Sequence, residues 1–256
     1  MKERLLVKLG GSVITDKAGD CTINRSRLEE IAEILASHAQ CQIILVHGAG
    51  SCGHPEAKRH HLDKGVDQNN ISGIFITHQA VRKLNDAVVN ALRTNGVEAI
   101  GMHPLDACVA DEGRIVAFDC EPIRLLVEHG VVPVLHGDVV MDRARGACIA
   151  SGDQLIRYLA RPLGVDRIGL ATDVAGVLTN GTVIPRIDEK TAETLSIGES
   201  ANTDVTGGMK GKISELLALA REGTESEIFH VSCLGDFLAG RNHGGTVVKH
   251  TIGDSY

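Results

Sequence analysis

Aromatic side chains make up only 2% of the 256 residues, and tryptophan is absent. Little is therefore available on which nucleic-acid bases could stack. An excess of positive charge is missing too: 26 Lys and Arg stand against 33 Asp and Glu, a formal net charge of −7. That removes the electrostatic footprint of a nucleic-acid binder. Any anionic ligand must be held locally, by individual cations and backbone N–H groups working against the global field. No apolar run approaches the ~20 residues that a bilayer requires; stretches such as 43–46 and 131–135 are the size of strands. No basic-then-apolar leader opens the chain, where Met1, Lys2, Glu3 and Arg4 lead directly into a strand-like segment. The expectation is a cytoplasmic protein with neither a membrane nor a nucleic acid as partner.

Paired-cysteine signatures are also lacking. The seven cysteines, at positions 21, 41, 52, 108, 120, 148 and 233, form an odd set with no C-x-x-C pair. They read as small buried apolar residues in a reducing compartment, not as a disulfide framework or a zinc ribbon. Neither a G-x-S-x-G elbow nor an H-E-x-x-H helix is present. The histidines, His60 and His61 among them, lack metal-ligand spacing with a carboxylate, and no residue is assigned to a metal.

What is present is a 43% apolar chain, rich enough in Val, Ile, Leu and Ala to offset ordering entropy. Strand-like and helix-like segments alternate along it. Residues 4–9 and 42–47 read as strands, the second apolar almost throughout, as expected when both sheet faces are covered. Asn24 suits the N-cap of a helix with Leu28, Ile31, Ile34 and Leu35 on one face. A long helix is expected over about 71–94, with Ile74, Phe75, Val81, Leu84, Val88 and Leu92 inward, ended by Asn95 and Gly96. Further on come a strand at 98–102, a helix at 122–129, a strand at 131–135 and a hairpin across 138–150. A helix capped by Ser151, a strand at 166–171, a helix at 209–222 and late strands at 227–232 and 246–250 complete the pattern. This alternation predicts an α/β fold with a mainly parallel sheet, whose ligands lie at the carboxyl ends of the strands.

Three glycine-bearing turns fall there. The first, Gly10, Gly11 and Ser12, follows a strand carrying Lys8, with Lys17 a short loop away. A double glycine lets the backbone approach a ligand and aim N–H groups at an anion. A tight turn with a solvated lysine explains the segment about as well when taken alone; two lysines bracketing it tip the balance toward phosphate. The second, 48–53, satisfies G-x-G-x-x-G, yet no strand with a terminal acid follows as a dinucleotide fold requires. It reads better as an anion cradle, with His54 at a helix start. The third, 203–212, lacks the Walker spacing but places Lys212 in the first turn of an amphipathic helix. Asp153 is a plain first-turn acid in the bland account. In the sharper one it is the counter-charge that lets several ammonium groups converge. Asp173 ends a strand and either caps a turn or faces a nucleotide.

Six stretches, KLGGSVITDK (8–17), ILVHGAGSCGHP (44–55), VPVLHGDVVMD (132–142), SGDQL (151–155), ATDVAGVL (171–178) and DVTGGMKGKI (204–213), lie in one order across nearly the whole chain. Together they resemble the amino acid kinase superfamily and, within it, the isopentenyl phosphate kinases of archaeal type. The resemblance implies one three-layer α/β/α sandwich over 1–256, with an acceptor-binding lobe (1–165) and a nucleotide-binding lobe (166–256). It implies phosphoryl transfer from ATP to isopentenyl phosphate with Mg²⁺, in isoprenoid biosynthesis by an alternative mevalonate route, by a homodimer paired through the long helix. Carried over by motif position, Lys8, Gly10, Gly11 and Ser12 would contact the ATP phosphates, Lys17 the transferring group, and Lys212 the nucleotide. Gly50, Asp173, Val177 and Gly208 would line the nucleotide pocket. Ala49, His54 and Gly152 would hold the acceptor phosphate, and Asp153 would organise the lysines. Ile74 and Thr77, with Val81 and Leu84, would form part of a slot for the hydrocarbon tail. Cys52 stands where relatives usually carry Phe, and Ala175 where they carry Asp.

The chemistry fits independently. A phosphate monoester has a second pKa near ~6, so its attacking oxygen is already ionised at neutrality. Such a reaction needs charge neutralisation more than a base, and lysines with open amides are what this sequence supplies. Three other readings stand beside it. They are a sister kinase acting on carbamate, an amino-acid carboxylate, a nucleoside monophosphate or a phosphonate antibiotic; a non-catalytic ATP-binding storage or regulatory protein; and a nicotinamide oxidoreductase.

Overall fold

The computed structural model describes residues 2–16, 21–197 and 207–250. The first half runs β1 (Arg4–Leu9), α1 (Gly11–Ile14), α2 (Arg25–Ala36), β2 (Gln42–His47), α3 (Gly50–Arg59) and α4 (Ser72–Thr94). There follow β3 (Ala99–Gly101), α5 (Pro104–Ala107), β4 (Cys108–Asp111), β5 (Arg114–Phe118), α6 (Glu121–Glu128) and β6 (Val132–His136). Next come β7 (Asp138–Asp142), β8 (Gly146–Ala150), α7 (Gly152–Ala160) and β9 (Arg167–Thr172). The last part holds β10 (Leu178–Thr179), β11 (Thr182–Val183), β12 (Arg186–Ile187), α8 (Glu189–Ile197), α9 (Gly207–Arg221), β13 (Ser226–His230), α10 (Leu234–Leu238) and β14 (Thr246–Val248).

Eight strands form the central sheet in the order β12-β14-β13-β9-β1-β2-β6-β3. All neighbours are parallel except β13 and β14. β1 is central, paired with β2 on one side and β9 on the other. Because strand side chains alternate, Leu5, Val7 and Leu9 bury on one face with residues of α2, α4 and α10, while Leu6 faces α6, α7 and α9. Helices on both faces of a parallel sheet give the expected α/β/α sandwich, and Lys8 shares the Leu6 face.

Several elements follow their local chemistry. Asn24 accepts a hydrogen bond from Arg27 N, and Ser151 one from Gln154 N, so both predicted caps form. The long helix begins at Ser72 and ends at Thr94. One of its residues departs from expectation: Phe75 is 67% exposed, because it falls on the face away from the sheet with Ile71 and Ile76.

The expected 138–150 hairpin forms as β7 and β8 but belongs to a separate four-stranded sheet, β5-β4-β7-β8. Its outer hairpin, β4 and β5, turns through Glu112 (φ 48°) and Gly113 (φ 81°). That pair of left-handed residues suits a tight hairpin turn. This second sheet hangs beyond the carboxyl edge of the main one and closes one side of the site.

The reading of every cysteine as a buried thiol is corrected. Cys21 and Cys52 are joined as a disulfide, Cα atoms 4.1 Å apart, whereas Cys108, Cys120 and Cys148 are buried free thiols. The partners are 31 residues apart, so no local spacing marks them. Packing brings Cys21, just past residues 17–20, against the start of α3. No described helix is long and apolar enough to cross a membrane.

Candidate active site

The carboxyl ends of β1, β2, β6 and β9 open onto a cavity of about 840 Å³. Its floor is almost bare backbone. A Cβ on Gly11 would lie 2.5 Å from Gly50 N, and one on Gly48 would lie 2.7 Å from Gly11 N. The first two glycine turns thus pack main chain against main chain, which no other residue permits. Gly50 also adopts φ +54°. Thr15 clamps the pair: its hydroxyl donates to Gly11 O at 2.8 Å and accepts from Ser51 N at 3.0 Å.

Lys8 extends from β1 to line the cavity and is 5% exposed. Its Nζ lies 2.6 Å from Asp153 Oδ1, and Lys212 Nζ, from α9, lies 3.8 Å from the same oxygen. One carboxylate therefore serves two ammonium groups. Burial pushes Lys8 down to about 8, partly countered by Asp153 and reinforced by Lys212. Burial raises Asp153, but the two lysines outweigh it and hold the carboxyl below its ordinary value. Asp153 occupies the first turn of α7, where N–H groups also favour negative charge.

On the opposite wall, His54 rises from α3. The helix begins at Gly50, so His54 sits in its second turn and not at its start. Burial and the Lys8 charge both lower its pKa, leaving a neutral ring that can donate from one nitrogen. Thr77 and Val81 of α4 and Ile149 of β8 add an apolar flank. Thr77 is 2% exposed, and its hydroxyl has no hydrogen-bond partner in the protein.

Most of the predicted site residues line this one cavity. Lys8, Gly10, Gly11, Ser12, Gly50, Asp173 and Lys212 all line it. Ala49, His54, Thr77, Gly152 and Asp153 complete the enclosure. Val177 is buried away from it, its N–H donating to Thr246 Oγ1 at 2.8 Å. Ile74 packs with Leu62, Val139 and Ala147 behind the wall. Gly208 falls in the first turn of α9, and Lys17 lies outside the described residues.

Sequence reasoning missed a polar cluster on the His54 and Thr77 side of the cavity. Asp138 lines the cavity and binds His78 Nδ1 at 3.0 Å. Burial raises Asp138, and His78 opposes that shift; the Asp138 hydrogen bond raises His78. His47, His103 and His136 pack alongside. The repeated His-Gly dipeptide at the ends of β2 and β6 was the available signal. Glu215 was missed as well: it reaches the cavity while pairing with Arg114 at 2.5 Å and Arg157 at 3.2 Å. Among the described residues no group of three His, Cys, Asp or Glu is arranged to hold a metal.

The sequence model of the amino acid kinase family matches residues 3–230. An isopentenyl phosphate kinase of Haloferax volcanii is 39% identical over 96% of this chain and 98% of its own. That of Methanothermobacter thermautotrophicus is 38% identical over 96% and 100%. A crystal structure of isopentenyl phosphate kinase superposes with a TM-score of 0.84 at 35% identity, covering 96% of this chain and all of the other. Carbamate kinase from Giardia lamblia shares the fold, at a TM-score of 0.71 and 15% identity.

Proposed function

The chain belongs to the amino acid kinase family, and on that premise we infer that it transfers the terminal phosphoryl group of ATP to isopentenyl phosphate, producing isopentenyl diphosphate and ADP. One observation carries the reading: Lys8 and Lys212 converge on Asp153 along one wall of a cavity whose other wall presents His54 and bare main chain. Two phosphorylated molecules can meet there without a general base.

The acceptor phosphate sits between His54 and the N–H groups of Ala49 and Gly152, the latter at the start of α7. ATP lies across Gly10, Gly11 and Ser12, with its nucleoside toward Asp173 and the segment carrying Val177 and Gly208. Lys8 and Lys212 neutralise charge spreading over the transferring group, and Lys17 joins them from its loop. Asp153 offsets the repulsion between the two ammonium groups and fixes where they point. Placed in line, a dianionic acceptor attacks without losing a proton, so orientation and charge account for the catalysis. The side chains of Thr77, Val81 and Ile149 flank the isoprenoid tail, with Ile74 supporting them from behind.

The donor set is cationic, and the described residues supply no carboxylate cage. Mg²⁺ therefore fits as an ion carried mainly by the ATP phosphates, where it adds charge neutralisation. The lobe carrying β9, β13 and α9 is assigned to nucleotide and the preceding 165 residues to acceptor. The exposed side chains of Ile71, just before α4, and of Phe75 and Ile76 on it support a homodimer built on that helix. The cytoplasmic placement rests on the similar kinases and not on the cysteines, because five are free thiols while Cys21 and Cys52 form a bridge.

Release of ADP should be measured with isopentenyl phosphate, fosfomycin and carbamate offered in turn. Turnover confined to isopentenyl phosphate is expected; preference for either other acceptor would overturn the substrate assignment.

A further inference from the structure

Two buried histidines remain unused by this chemistry. His47 and His136 end the neighbouring parallel strands β2 and β6, in register with each other. Their rings stack with centroids 5.5 Å apart, and both residues are fully buried. Each is followed by glycine, and each Nδ1 lies close to the carbonyl oxygen of that glycine: 3.0 Å for His47 to Gly48 and 3.1 Å for His136 to Gly137. A carbonyl only accepts, so both Nδ1 atoms carry the proton.

The other ring nitrogens are held as acceptors. Asn85 Nδ2 donates to His47 Nε2 at 3.1 Å, its orientation set by a second bond to Val134 O at 3.0 Å. His103 Nδ1 lies 2.8 Å from His136 Nε2 and supplies the proton there. Both imidazoles are thereby fixed as neutral Nδ1–H tautomers. Burial, pushing His47 down to about 4 and His136 well below the usual range, acts in the same direction.

All peptide bonds in the described structure are trans, so a carbonyl and the following N–H point opposite ways. Tying Gly48 O down to His47 turns the Ala49 N–H toward the cavity that Ala49 lines. Gly137 adjoins both of the amides that matter. A Cβ on it would be 3.3 Å from Gly152 N and 3.8 Å from Ala49 N, while its own N–H donates to His47 O at 2.9 Å. Where His136 holds Gly137 therefore sets the spacing of those two amides.

We propose that His47 and His136 are positioning residues for the acceptor phosphate, each orienting a glycine peptide from below so that the Ala49 and Gly152 amides converge. The proposal rests on the acceptor assignment made above. A purely structural role predicts the same fold without any bias toward one substrate.

Asparagine and glutamine separate the two ring nitrogens, because the Asn amide nitrogen reproduces Nδ1 and the Gln amide nitrogen reproduces Nε2. KM for isopentenyl phosphate should rise about tenfold or more in His47→Gln and His136→Gln, with KM for ATP within about twofold of wild type. His47→Asn and His136→Asn should recover to within about threefold. Thermal midpoints of all four fix a common assay temperature below the least stable. Equal KM changes in the Asn and Gln variants, or a parallel rise in KM for ATP, would overturn the role. Wild-type protein that released no ADP with isopentenyl phosphate would overturn the acceptor assignment as well. If a Gln variant fails to fold, imidazole ¹⁵N spectra of the wild type decide: protonated Nδ1 on both rings is expected, and protonated Nε2 on either refutes the proposal.

Discussion

Lys8 Nζ lies 2.6 Å from Asp153 Oδ1 in a region where the lysine is almost wholly removed from water. The pair joins the central strand to the first turn of α7, so both partners are carried by regular secondary structure. Lys8 falls to about 8 in the free protein. Its protonated, useful form is therefore lost as pH rises through that value. We expect kcat/KM, which reports free enzyme, to fall above about pH 8 while kcat holds to higher pH, because bound phosphate stabilises the ammonium. Asp153 raises the Lys8 pKa, so Asp153→Asn should move that limb to lower pH and cut kcat by about a hundredfold or more. Steady-state pH profiles of the two proteins test both statements.

His54→Ala should raise KM for isopentenyl phosphate by about ten- to a hundredfold and leave KM for ATP nearly unchanged. Lys17→Ala should do the reverse in kind, lowering kcat with little change in either KM. Loss of ATP binding in His54→Ala, measured by calorimetry, would show that the two pockets are assigned the wrong way round.

The bare-backbone floor makes a steric prediction. A methyl group at Gly11 would meet Gly50 N at 2.5 Å, and one at Gly50 would meet Thr15 Oγ1 at 2.3 Å with φ at +54°. The first neighbour is main chain, and the second is held between Gly11 O and Ser51 N. Gly11→Ala and Gly50→Ala should each cost about 1–3 kcal/mol of stability, read by denaturant unfolding. Gly211→Ala, where nothing lies within 4 Å, is the matched control and should be neutral or mildly stabilising.

The Cys21–Cys52 bridge closes a loop spanning 31 residues of sequence. Loop-closure entropy assigns such a link roughly 3–4 kcal/mol. Cys21→Ser with Cys52→Ser, or reduction of the native protein, should lower the thermal midpoint by several degrees. An unchanged midpoint with and without dithiothreitol would refute a stabilising cross-link.

Chain-length preference tests the tail slot. Val81 and Ile149 line the cavity, whereas Ile74 stands behind them. Val81→Ala should therefore improve kcat/KM for longer prenyl phosphates more than Ile74→Ala does. Equal effects on product ratios, measured by mass spectrometry, would contradict that ordering.

Much of the fold was legible because its signals are local. Continuous apolar runs at 4–9 and 42–47, the caps at Asn24 and Ser151, and glycines after strands each express a rule that acts within a few residues. The lysines and Asp153 were legible for a different reason: converging cations require an anion, whatever the path of the chain. The second sheet was less so, because β4 is only four residues long and its pairing with β7 depends on a distant hairpin. Phe75 was assigned inward on periodicity alone, which marks an apolar stripe without saying which neighbour covers it. The disulfide and the His47–His136 pair arise from contacts between segments far apart in sequence, where no spacing rule applies.

The abutting turns at Gly11 and Gly50 have an evolutionary corollary. On the proposed assignment, donor and acceptor lie over a floor only one main chain thick on either side, with no side chain to absorb a displacement. A substitution that reshapes one chamber is transmitted to the other, so new acceptors are reached most readily through the distant hydrocarbon end, leaving the phosphate end invariant. Diversification in such an enzyme is channelled toward what the substrate's tail looks like and away from what its head group is.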